Sequence, residues 1–511
     1  MLPTSRRLAL STASRATAAA AVAVHRPTSV AVLRQMTVRG LAYPPDMFTD
    51  APGSAHDAIP RKVPGGMVLP RSRMGANQAV GPKVVSAEEA VAAIPSGSRI
   101  YVHGAACMPH VLLDALAARA AADPSLKDIE FTHLHLEATN PCMQYPDQFF
   151  TNNLFVGAGE RKNVAHGRSS YVPVFLSDMG RLMRDNILRP DVALLNVSPP
   201  DQHGFVTLGL EVATALPAAE TSRLLIAQIN PHMPATRGST FIPLSAFDYV
   251  VPTPHATLPS VPLGETSDIE RQIGEHIAAM IPDGATLQMG IGAVPNAVLA
   301  ALKDHKHLGV HTEMFSDGLI PLLKSGAVDN SQKRYQRGRV VTSFLVGSQE
   351  LYDFVDDNPQ VLLQEAAVTN DPVLIGMNPK VTAINSAVAV DLTGQVAADS
   401  VGTYQVSGVG GQIDFERGAA ISRGGIPIIA LPSTNLKDGS TKIVPHLLPG
   451  SGVVTTRYHV HNVVTEYGVA RLFGHNYHER ARRLIAIAHP DHRAELEREA
   501  FERYGLKAWR V

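Results

Sequence analysis

Two stretches of the sequence open in the same way, and they decide the fold. Residues 86–104 read SAEEAVAAIPSGSRIYVHG, and residues 267–290 read SDIERQIGEHIAAMIPDGATLQMG. Each begins with the pattern S-x-x-E, in which the serine and the glutamate cap the first turn of a helix reciprocally. Each continues through an apolar run to Ile-Pro-x-Gly, which ends a helix in a turn. A short apolar strand that stops at glycine follows. The pattern predicts a helix, a strand and a glycine loop in each half of the chain.

A second helix is predicted after each glycine loop, near Pro109 and near Pro295, because proline is favoured in the first helical turn. A unit that occurs twice predicts an α/β protein of two similar open α/β domains with mostly parallel sheets. We place the first domain at residues 76–250 and the second at 263–490, with a C-terminal helix and tail at 491–511. The proline-rich residues between the domains are interpreted as a stiff linker.

Short apolar runs alternate with helical patterns elsewhere in the chain, as is typical of parallel sheets that are buried on both faces. Three such runs predict buried strands, at residues 192–197, 224–229 and 426–431. Helical patterns close the chain at residues 479–488 and 492–504.

The composition excludes several classes of protein. The 511 residues are 45% apolar and 18% charged, and this charged share is below the usual value of about 25%, which argues against a disordered chain. The net charge of −1 gives no general attraction to nucleic acid or to an anionic membrane. The longest apolar stretch near the start, residues 16–24, is far shorter than the roughly 20 residues of a membrane span. Cys107 and Cys142 are the only cysteines, which excludes a disulfide framework or a zinc ribbon.

The first 40 residues have the composition of an organellar targeting segment. They contain six arginines and nine serines or threonines, with no lysine and no acidic residue. This composition is typical of a transit peptide. We therefore predict import into the matrix of a mitochondrion or a related organelle, with cleavage between Arg34 and Ala42. The alternative is a disordered basic tail.

Two glycine clusters are candidate binding loops. The first, residues 290–294, follows a predicted strand and opens a helix, where exposed amides attract an oxyanion or a phosphate. A dinucleotide-binding fingerprint would need a glycine where Pro295 stands, so a dehydrogenase is disfavoured. The second cluster contains Ser407, Gly408, Gly410 and Gly411, whose amides could form an anion nest. For both clusters, a tight turn without a ligand remains the alternative.

Glu313 is the candidate reactive carboxylate. It lies in the stretch HTEMFSDG, residues 311–318, where a short strand is predicted to end near Thr312. Ligands of open α/β sheets bind at the carboxyl ends of strands, and a carboxylate there can act as a nucleophile, a base or a metal ligand. A surface glutamate in a loop is the alternative.

A metal-dependent hydrolase is the competing class of function. In the run HLHLE, His133, His135 and Glu137 alternate and are expected to share one face of a strand, which suggests a metal site. No second cluster with ligand spacing accompanies them, and a polar face between the two domains is the alternative. The chain contains neither a GxSxG elbow nor a GxxxxGK[ST] loop, so an α/β-hydrolase and ATP-driven acyl activation are disfavoured.

Six motifs in order give the sequence a resemblance to a known family. They are SPPDQHG at 198–204, GIGAVP at 290–295, HTEMFSDG at 311–318, SGVGG at 407–411, VTEYG at 464–468 and IAIAHP at 485–490. Over residues 76–505 the chain resembles the acetyl-CoA hydrolase/transferase family, the class I coenzyme A (CoA) transferases. It looks most similar to the acetate:succinate and 4-hydroxybutyrate CoA-transferases among them.

The resemblance implies a reaction and its residues. Glu313 would be the catalytic residue, moving CoA from acetyl-CoA to succinate through a glutamyl–CoA thioester with ping-pong kinetics. The CoA-binding residues would be Gly290, Ile291, Gly292, Ala293, Val294, Ser407, Gly408, Gly410, Gly411 and Lys437. CoA would be substrate and product, small carboxylates the other substrates, with no metal and no cofactor, and the protein would be a homodimer. An acetyl-CoA hydrolase, a 4-hydroxybutyrate or butyrate CoA-transferase, and a non-catalytic acyl-CoA sensor stay open.

Overall fold

A computed structural model describes residues 81–261, 264 and 266–505. The predicted transit segment and the end of the C-terminal tail lie outside these residues. The chain divides into two compact units, and all of the described residues belong to the second, residues 61–511.

The α-helices are short and spread along the whole described chain. They are α1 (Ala87–Ala92), α2 (His110–Ala122), α3 (Arg161–Ala165), α4 (Leu176–Arg184), α5 (Ala215–Thr221), α6 (Asp268–Ala278), α7 (Ala293–Ala301), α8 (Ile320–Ser325), α9 (Gln349–Val355), α10 (Ala366–Thr369), α11 (Pro372–Met377), α12 (Gln412–Ile421), α13 (Tyr477–Ala486) and α14 (Pro490–Tyr504).

The β-strands alternate with these helices. They are β1 (Lys83–Val84), β2 (Arg99–Val102), β3 (Ile129–His133), β4 (Phe149–Asn153), β5 (Ser169–Tyr171), β6 (Val192–Val197), β7 (Phe205–Thr207), β8 (Leu224–Ile229), β9 (Arg237–Gly238), β10 (Phe241–Pro243), β11 (Tyr249–Pro252), β12 (Thr286–Met289), β13 (Gly309–Val310), β14 (Met314–Phe315), β15 (Val340–Thr342), β16 (Phe344–Leu345), β17 (Val361–Leu363), β18 (Val381–Ser386), β19 (Ala389–Asp391), β20 (Val396–Ala397), β21 (Ser400–Val401), β22 (Tyr404–Gln405), β23 (Ile426–Ala430), β24 (Ile443–Val444), β25 (Asn462–Thr465) and β26 (Gly468–Arg471).

Each half of the chain is built around one large, mostly parallel sheet. The first sheet has eight strands in the order β1-β11-β8-β6-β2-β3-β4-β5, all paired in parallel. The second has six strands in the order β13-β12-β18-β23-β25-β26, and only its β25–β26 pair is antiparallel. The predicted α/β class with mostly parallel sheets is confirmed.

The repeated opening of the two halves folds as the sequence indicates. Both S-x-x-E patterns form complete capping boxes, at the start of α1 and of α6. The strands that follow are β2 and β12, and the predicted buried strands are β6, β8 and β23. All six residues of β6 are buried, because helices cover both faces of a parallel sheet. Helix α7 begins two residues before Pro295.

A small sheet joins the two halves. Strand β9, from the first half, pairs in parallel with β17, which in turn pairs with β15. Strand β11 extends to Pro252, so the first residues of the predicted linker belong to the first sheet.

Among the described residues, no helix is both long and apolar enough to cross a bilayer.

Candidate active site

Glu313 lies at the carboxyl edge of the second sheet, between β13 and β14. Its backbone carbonyl accepts hydrogen bonds from the amides of Ser343 (2.9 Å) and Phe344 (3.3 Å), and from the hydroxyl of Thr342 (3.1 Å). Three donors on one carbonyl fix the main chain at this position. The side chain therefore starts from a rigid edge of the sheet, as a reactive group requires.

Two donors hold the carboxylate of Glu313. The side-chain amide of Asn370 donates to Oε2 at 2.9 Å, and the backbone amide of Gly411 is the second donor. Burial raises the pKa of Glu313 above its ordinary value, although both donors and the nearby His135 oppose the rise. A carboxylate with a raised pKa is more basic, and hence a better nucleophile, than one that is fully solvated.

The predicted loop of residues 290–294 begins directly after Met289, which is hydrogen bonded to the residue before Glu313. It leaves β12 and opens α7, and Gly292 has a φ of 121°, a left-handed value that favours glycine. A side chain added at Gly290 or Gly292 would meet no atom within 4 Å, so a ligand can approach this backbone. The hydroxyl of Thr312, next to Glu313, donates to the carbonyl of Met289 at 2.9 Å, which couples the loop to the carboxylate.

The predicted loop of residues 407–411 directly adjoins Glu313. A Cβ atom built on Gly411 would lie 2.1 Å from Oε2 of Glu313, and one built on Gly410 would lie 3.8 Å from Oε1. Two amides of the loop already have partners within the protein: that of Ser407 donates to a backbone carbonyl, and that of Val409 donates to the hydroxyl of Tyr171. The Gly411 amide is the one that faces the carboxylate.

The first half of the chain forms the opposite side of the site. Phe155 lies against Gly408, with 2.9 Å between its ring and the place of an added Cβ atom. The amide of Leu176 donates to the carbonyl of Gly410 at 3.0 Å. Phe155 also contacts the ring of His135, with 5.7 Å between the ring centroids. The candidate site is therefore built where the two halves meet.

The histidine pair predicted as a metal site is divided between two environments, which corrects the expected shared strand face. Strand β3 pairs with β4 up to His133 and ends there, so His135 and Glu137 belong to the loop that follows. His133 is buried with both ring nitrogens unpartnered, and burial lowers its pKa to about 3. His135 instead bonds Glu137 at 3.1 Å. The described residues contain no group of three or more possible metal ligands.

Lys437 is the one predicted CoA-binding residue that the structure does not connect to the others. It is exposed in a turn after β23, where its backbone amide donates to the side chain of Asn435 at 3.1 Å. Its role in binding CoA stays a prediction.

The sequence analysis missed Asn370 and the aromatic residues around His135. Asn370 follows the short helix α10, is fully buried, and stands 57 positions from the carboxylate that it contacts. Nothing in its neighbourhood, AAVTNDP, has the form of a motif, and only the tertiary fold brings it to Glu313. The alternating histidines carry a signal for His135, which the sequence leaves open between metal ligation and a polar face between the domains.

Comparisons with known proteins agree with this architecture. The family models of the acetyl-CoA hydrolase/transferase N-terminal domain and C-terminal domain match residues 71–262 and 347–500. The chain is 46% identical over 419 residues to the succinyl-CoA:acetate/propanoyl-CoA:succinate CoA transferase of Fasciola hepatica, covering 81% of this chain and 87% of that protein. The chain belongs to the acetyl-CoA hydrolase/transferase family. It is therefore an enzyme of CoA transfer or CoA-ester hydrolysis.

Two further relatives support the membership. The 4-hydroxybutyrate coenzyme A transferase of Clostridium kluyveri is 44% identical, with 83% of this chain and 98% of that protein covered. The crystal structure of RipA from Yersinia pestis has a TM-score of 0.77 at 35% identity, covering 82% of this chain and 97% of that one. Glu313 lies between the two segments that the family models match. The loop at 407–411 lies inside the segment matched by the C-terminal domain model.

Proposed function

We propose that this enzyme is an acetate:succinate CoA-transferase that uses Glu313 as its nucleophile. The observation that carries the proposal is the carboxylate of Glu313 at the edge of the second sheet, held by the amides of Asn370 and Gly411. The Fasciola hepatica relative, a CoA transferase between succinyl-CoA and acetate, supports this pair of substrates.

The proposed reaction proceeds in four exchanges at carbonyl carbon. The carboxylate of Glu313 attacks the thioester of acetyl-CoA, the carbon–sulfur bond breaks, and an acetyl–glutamyl anhydride and CoA thiolate result. The thiolate attacks the glutamyl carbonyl and expels acetate, leaving a glutamyl–CoA thioester. Succinate attacks that thioester and releases the thiolate, which then attacks the succinyl carbonyl and restores the free carboxylate. This is covalent catalysis with ping-pong kinetics.

Asn370 and Gly411 have a defined task in this sequence. When the carbonyl of the derivatised Glu313 is attacked, negative charge collects on its oxygen. Asn370 is already placed on Oε2 and the Gly411 amide on the same carboxylate, so they need no reorganisation as that charge develops. Preorganised donors of this kind are the main source of catalysis in acyl transfer.

Water has to be kept from the anhydride and the thioester. The rings of Phe155 and Phe344 lie 5.7 and 5.6 Å from the ring of His135, measured between centroids, and Phe155 packs on the loop at 407–411. This aromatic side of the site supports transfer to a carboxylate over hydrolysis, because apolar surface disfavours ordered water. An acetyl-CoA hydrolase and a 4-hydroxybutyrate or butyrate CoA-transferase are the alternatives that the test below distinguishes.

The proposal extends to the setting of the enzyme. CoA serves as substrate and product, small carboxylates are the other substrates, and no cofactor takes part, because bond energy is exchanged between two similar thioesters. The acid-free, arginine-rich residues 1–40 support import into a mitochondrion or a related organelle. The residues proposed to contact CoA are 290–294, Ser407, Gly408, Gly410, Gly411 and Lys437, and a homodimer is proposed from the family resemblance.

Mixing the protein with acetyl-CoA, with and without succinate, tests the function directly. We expect chromatography of the CoA species to show succinyl-CoA when succinate is present and little free CoA when it is absent. Parallel tubes in which 4-hydroxybutyrate or butyrate replaces succinate test the alternative acceptors. Free CoA formed at the same rate in both tubes would make the enzyme a hydrolase and overturn the proposed transfer.

Replacing Asn370 with alanine is expected to lower kcat by about 10²–10³-fold, which is the usual cost of one lost oxyanion donor. KM for acetyl-CoA should change far less, because the donor acts after the substrate is bound. Steady-state kinetics measure both. Asn153→Ala is the matched control, since this buried asparagine hydrogen bonds a backbone carbonyl on β5 at 3.0 Å and has no part in the reaction. Equal losses of kcat in the two variants would contradict the role of Asn370.

A further inference from the structure

His311 is a fully buried histidine for which the reaction as proposed so far has no use. It stands directly after β13, two residues before Glu313. Its Nε2 lies 2.7 Å from the backbone carbonyl oxygen of Thr369. Thr369 is the last residue of α10 and directly precedes Asn370. The imidazole therefore connects the segment that carries the nucleophile to the segment that carries its side-chain donor.

The hydrogen bonds of Asn378 fix which ring nitrogen of His311 carries the proton. Oδ1 of Asn378 accepts from the backbone amides of Arg334 and Tyr335, at 3.1 Å each. The Nδ2 atom of Asn378 is therefore the one that faces His311. A side-chain amide nitrogen can only donate, so Nδ1 of His311, 3.3 Å away, is the acceptor. The single proton of the neutral imidazole then lies on Nε2, which donates it to Thr369.

The surroundings keep this imidazole neutral. Burial lowers the pKa of His311 to about 3, and the charge of the buried Lys333 adds to the fall, although the hydrogen bond to Thr369 opposes it. The rings of Tyr335 and Phe415 pack against the imidazole, with 5.8 and 6.1 Å between the ring centroids. A neutral imidazole has one donor and one acceptor, and both are occupied here.

The carbonyl of Thr369 belongs to the peptide unit that leads into Asn370. Holding its oxygen fixes the plane of that peptide and the Cα atom of Asn370, from which the side chain reaches Oε2 of Glu313 at 2.9 Å. We propose that His311 is a positioning residue, whose Nε2–H group holds the Thr369 carbonyl and thereby keeps the Asn370 amide in place. The inference rests on the proposed function, in which that amide stabilises charge on Glu313.

Glutamine and asparagine at position 311 differ in how far their amides reach. The amide of glutamine extends about as far as Nε2 of the histidine and can still donate to Thr369, whereas that of asparagine extends only about as far as Nδ1. We expect His311→Gln to keep kcat within about threefold of wild type. We expect His311→Asn to lower kcat about 10–100-fold with little change in KM for acetyl-CoA, because a group misplaced by about 1 Å can cost about 100-fold in rate.

His305→Asn is the matched control for the loss of a bond from histidine to a carbonyl. Nε2 of His305 lies 3.0 Å from the carbonyl oxygen of Ile281. His305 precedes β13, at the opposite edge of the second sheet from Glu313. We therefore expect His305→Asn to keep the wild-type kcat.

A double-mutant cycle with Asn370→Ala tests whether His311 acts through Asn370. Substitutions at independent positions have additive effects on a free energy, so their effects on a rate multiply, whereas coupled positions depart from this rule. In the Asn370→Ala background, His311→Asn should therefore lower kcat by no more than about twofold. A merely structural role of His311 would give the same loss of kcat in both backgrounds.

Each outcome decides for or against this role of His311. A glutamine variant as slow as the asparagine variant, an asparagine variant as fast as wild type, or losses that multiply in the cycle would each overturn it. If His311→Asn does not fold, His311→Leu, whose side chain suits the aromatic surroundings, replaces it in the cycle. Wild type that forms no succinyl-CoA would instead mean that the proposed function has failed, and wild-type kcat in Asn370→Ala would mean that the role of Asn370 has failed.

Discussion

CoA transfer is expected to fall by at least about 10⁴-fold when Glu313 is replaced with glutamine, as for the loss of an enzyme's nucleophile. Glutamine has the same shape and can still accept the hydrogen bond that Asn370 gives to Oε2 at 2.9 Å. It cannot form the anhydride, because an amide is a far weaker nucleophile than a carboxylate. Formation of succinyl-CoA from acetyl-CoA and succinate measures the loss. The mass of the intact protein gives a second readout, since a covalent CoA adduct should form on wild type only.

Two further measurements make this result specific to chemistry at Glu313. Glu313→Asp keeps the carboxylate but shortens its reach by one methylene, and we expect a loss of about 100-fold, as for a misplacement of about 1 Å. The thermal midpoint of Glu313→Gln should stay at or above that of wild type. Burial raises the pKa of Glu313, so the ionised side chain destabilises the folded protein, and glutamine removes that charge. Turnover by Glu313→Gln near the wild-type rate would remove the basis of the proposed mechanism.

The fold could be predicted well because its signals are local. The capping boxes at the start of α1 and α6 involve residues only three positions apart. The strands at residues 192–197, 224–229 and 426–430 are short, mostly apolar runs, as burial on both faces of a parallel sheet favours. The pairing of β9 with β17 could not be predicted, because two strands of two and three residues carry no periodicity that would select their partners.

The site could be predicted only where one stretch of sequence carries its own chemistry. Glu313 stands at a strand end and the two glycine loops stand next to helices, so each is recognisable alone. Asn370 becomes significant only when folding brings it against Glu313, and a buried asparagine has no spacing that marks it. The shared strand face predicted for His133 and His135 is wrong, since period-two spacing does not reveal that strand β3 ends at the first of them.

These limits have a common physical origin. The reactive carboxylate comes from the second half of the chain, while His135 and Phe155 come from the first. A site assembled where two halves meet depends on contacts between distant segments, and local propensity does not specify such contacts. The loop at residues 407–411 is the exception, because its glycines are needed both for its own turn and for its approach to Glu313.

Gly411 and Gly410 make a matched pair that separates space beside the carboxylate from backbone conformation. Gly411 has a φ of −101°, which any residue can adopt, but an added Cβ atom would lie 2.1 Å from Oε2 of Glu313 and 2.0 Å from Nδ2 of Asn370. Both are ends of side chains that can turn aside. We therefore expect Gly411→Ala to fold with little loss of stability while kcat falls by about 10²–10³-fold.

Gly410→Ala should do the reverse. Its φ of 57° is left-handed, which costs a residue with a side chain about 1 kcal/mol, and the thermal midpoint should fall by about 1 °C in a protein of this size. An added Cβ atom would still have ordinary van der Waals room, 3.8 Å from Oε1 of Glu313, so kcat should stay within about tenfold of wild type. Thermal unfolding and steady-state kinetics of both variants test the pair. Wild-type kcat in Gly411→Ala would contradict the hydrogen-bonded arrangement on Oε2, and an equal loss in Gly410→Ala would assign the rate to the conformation of the loop.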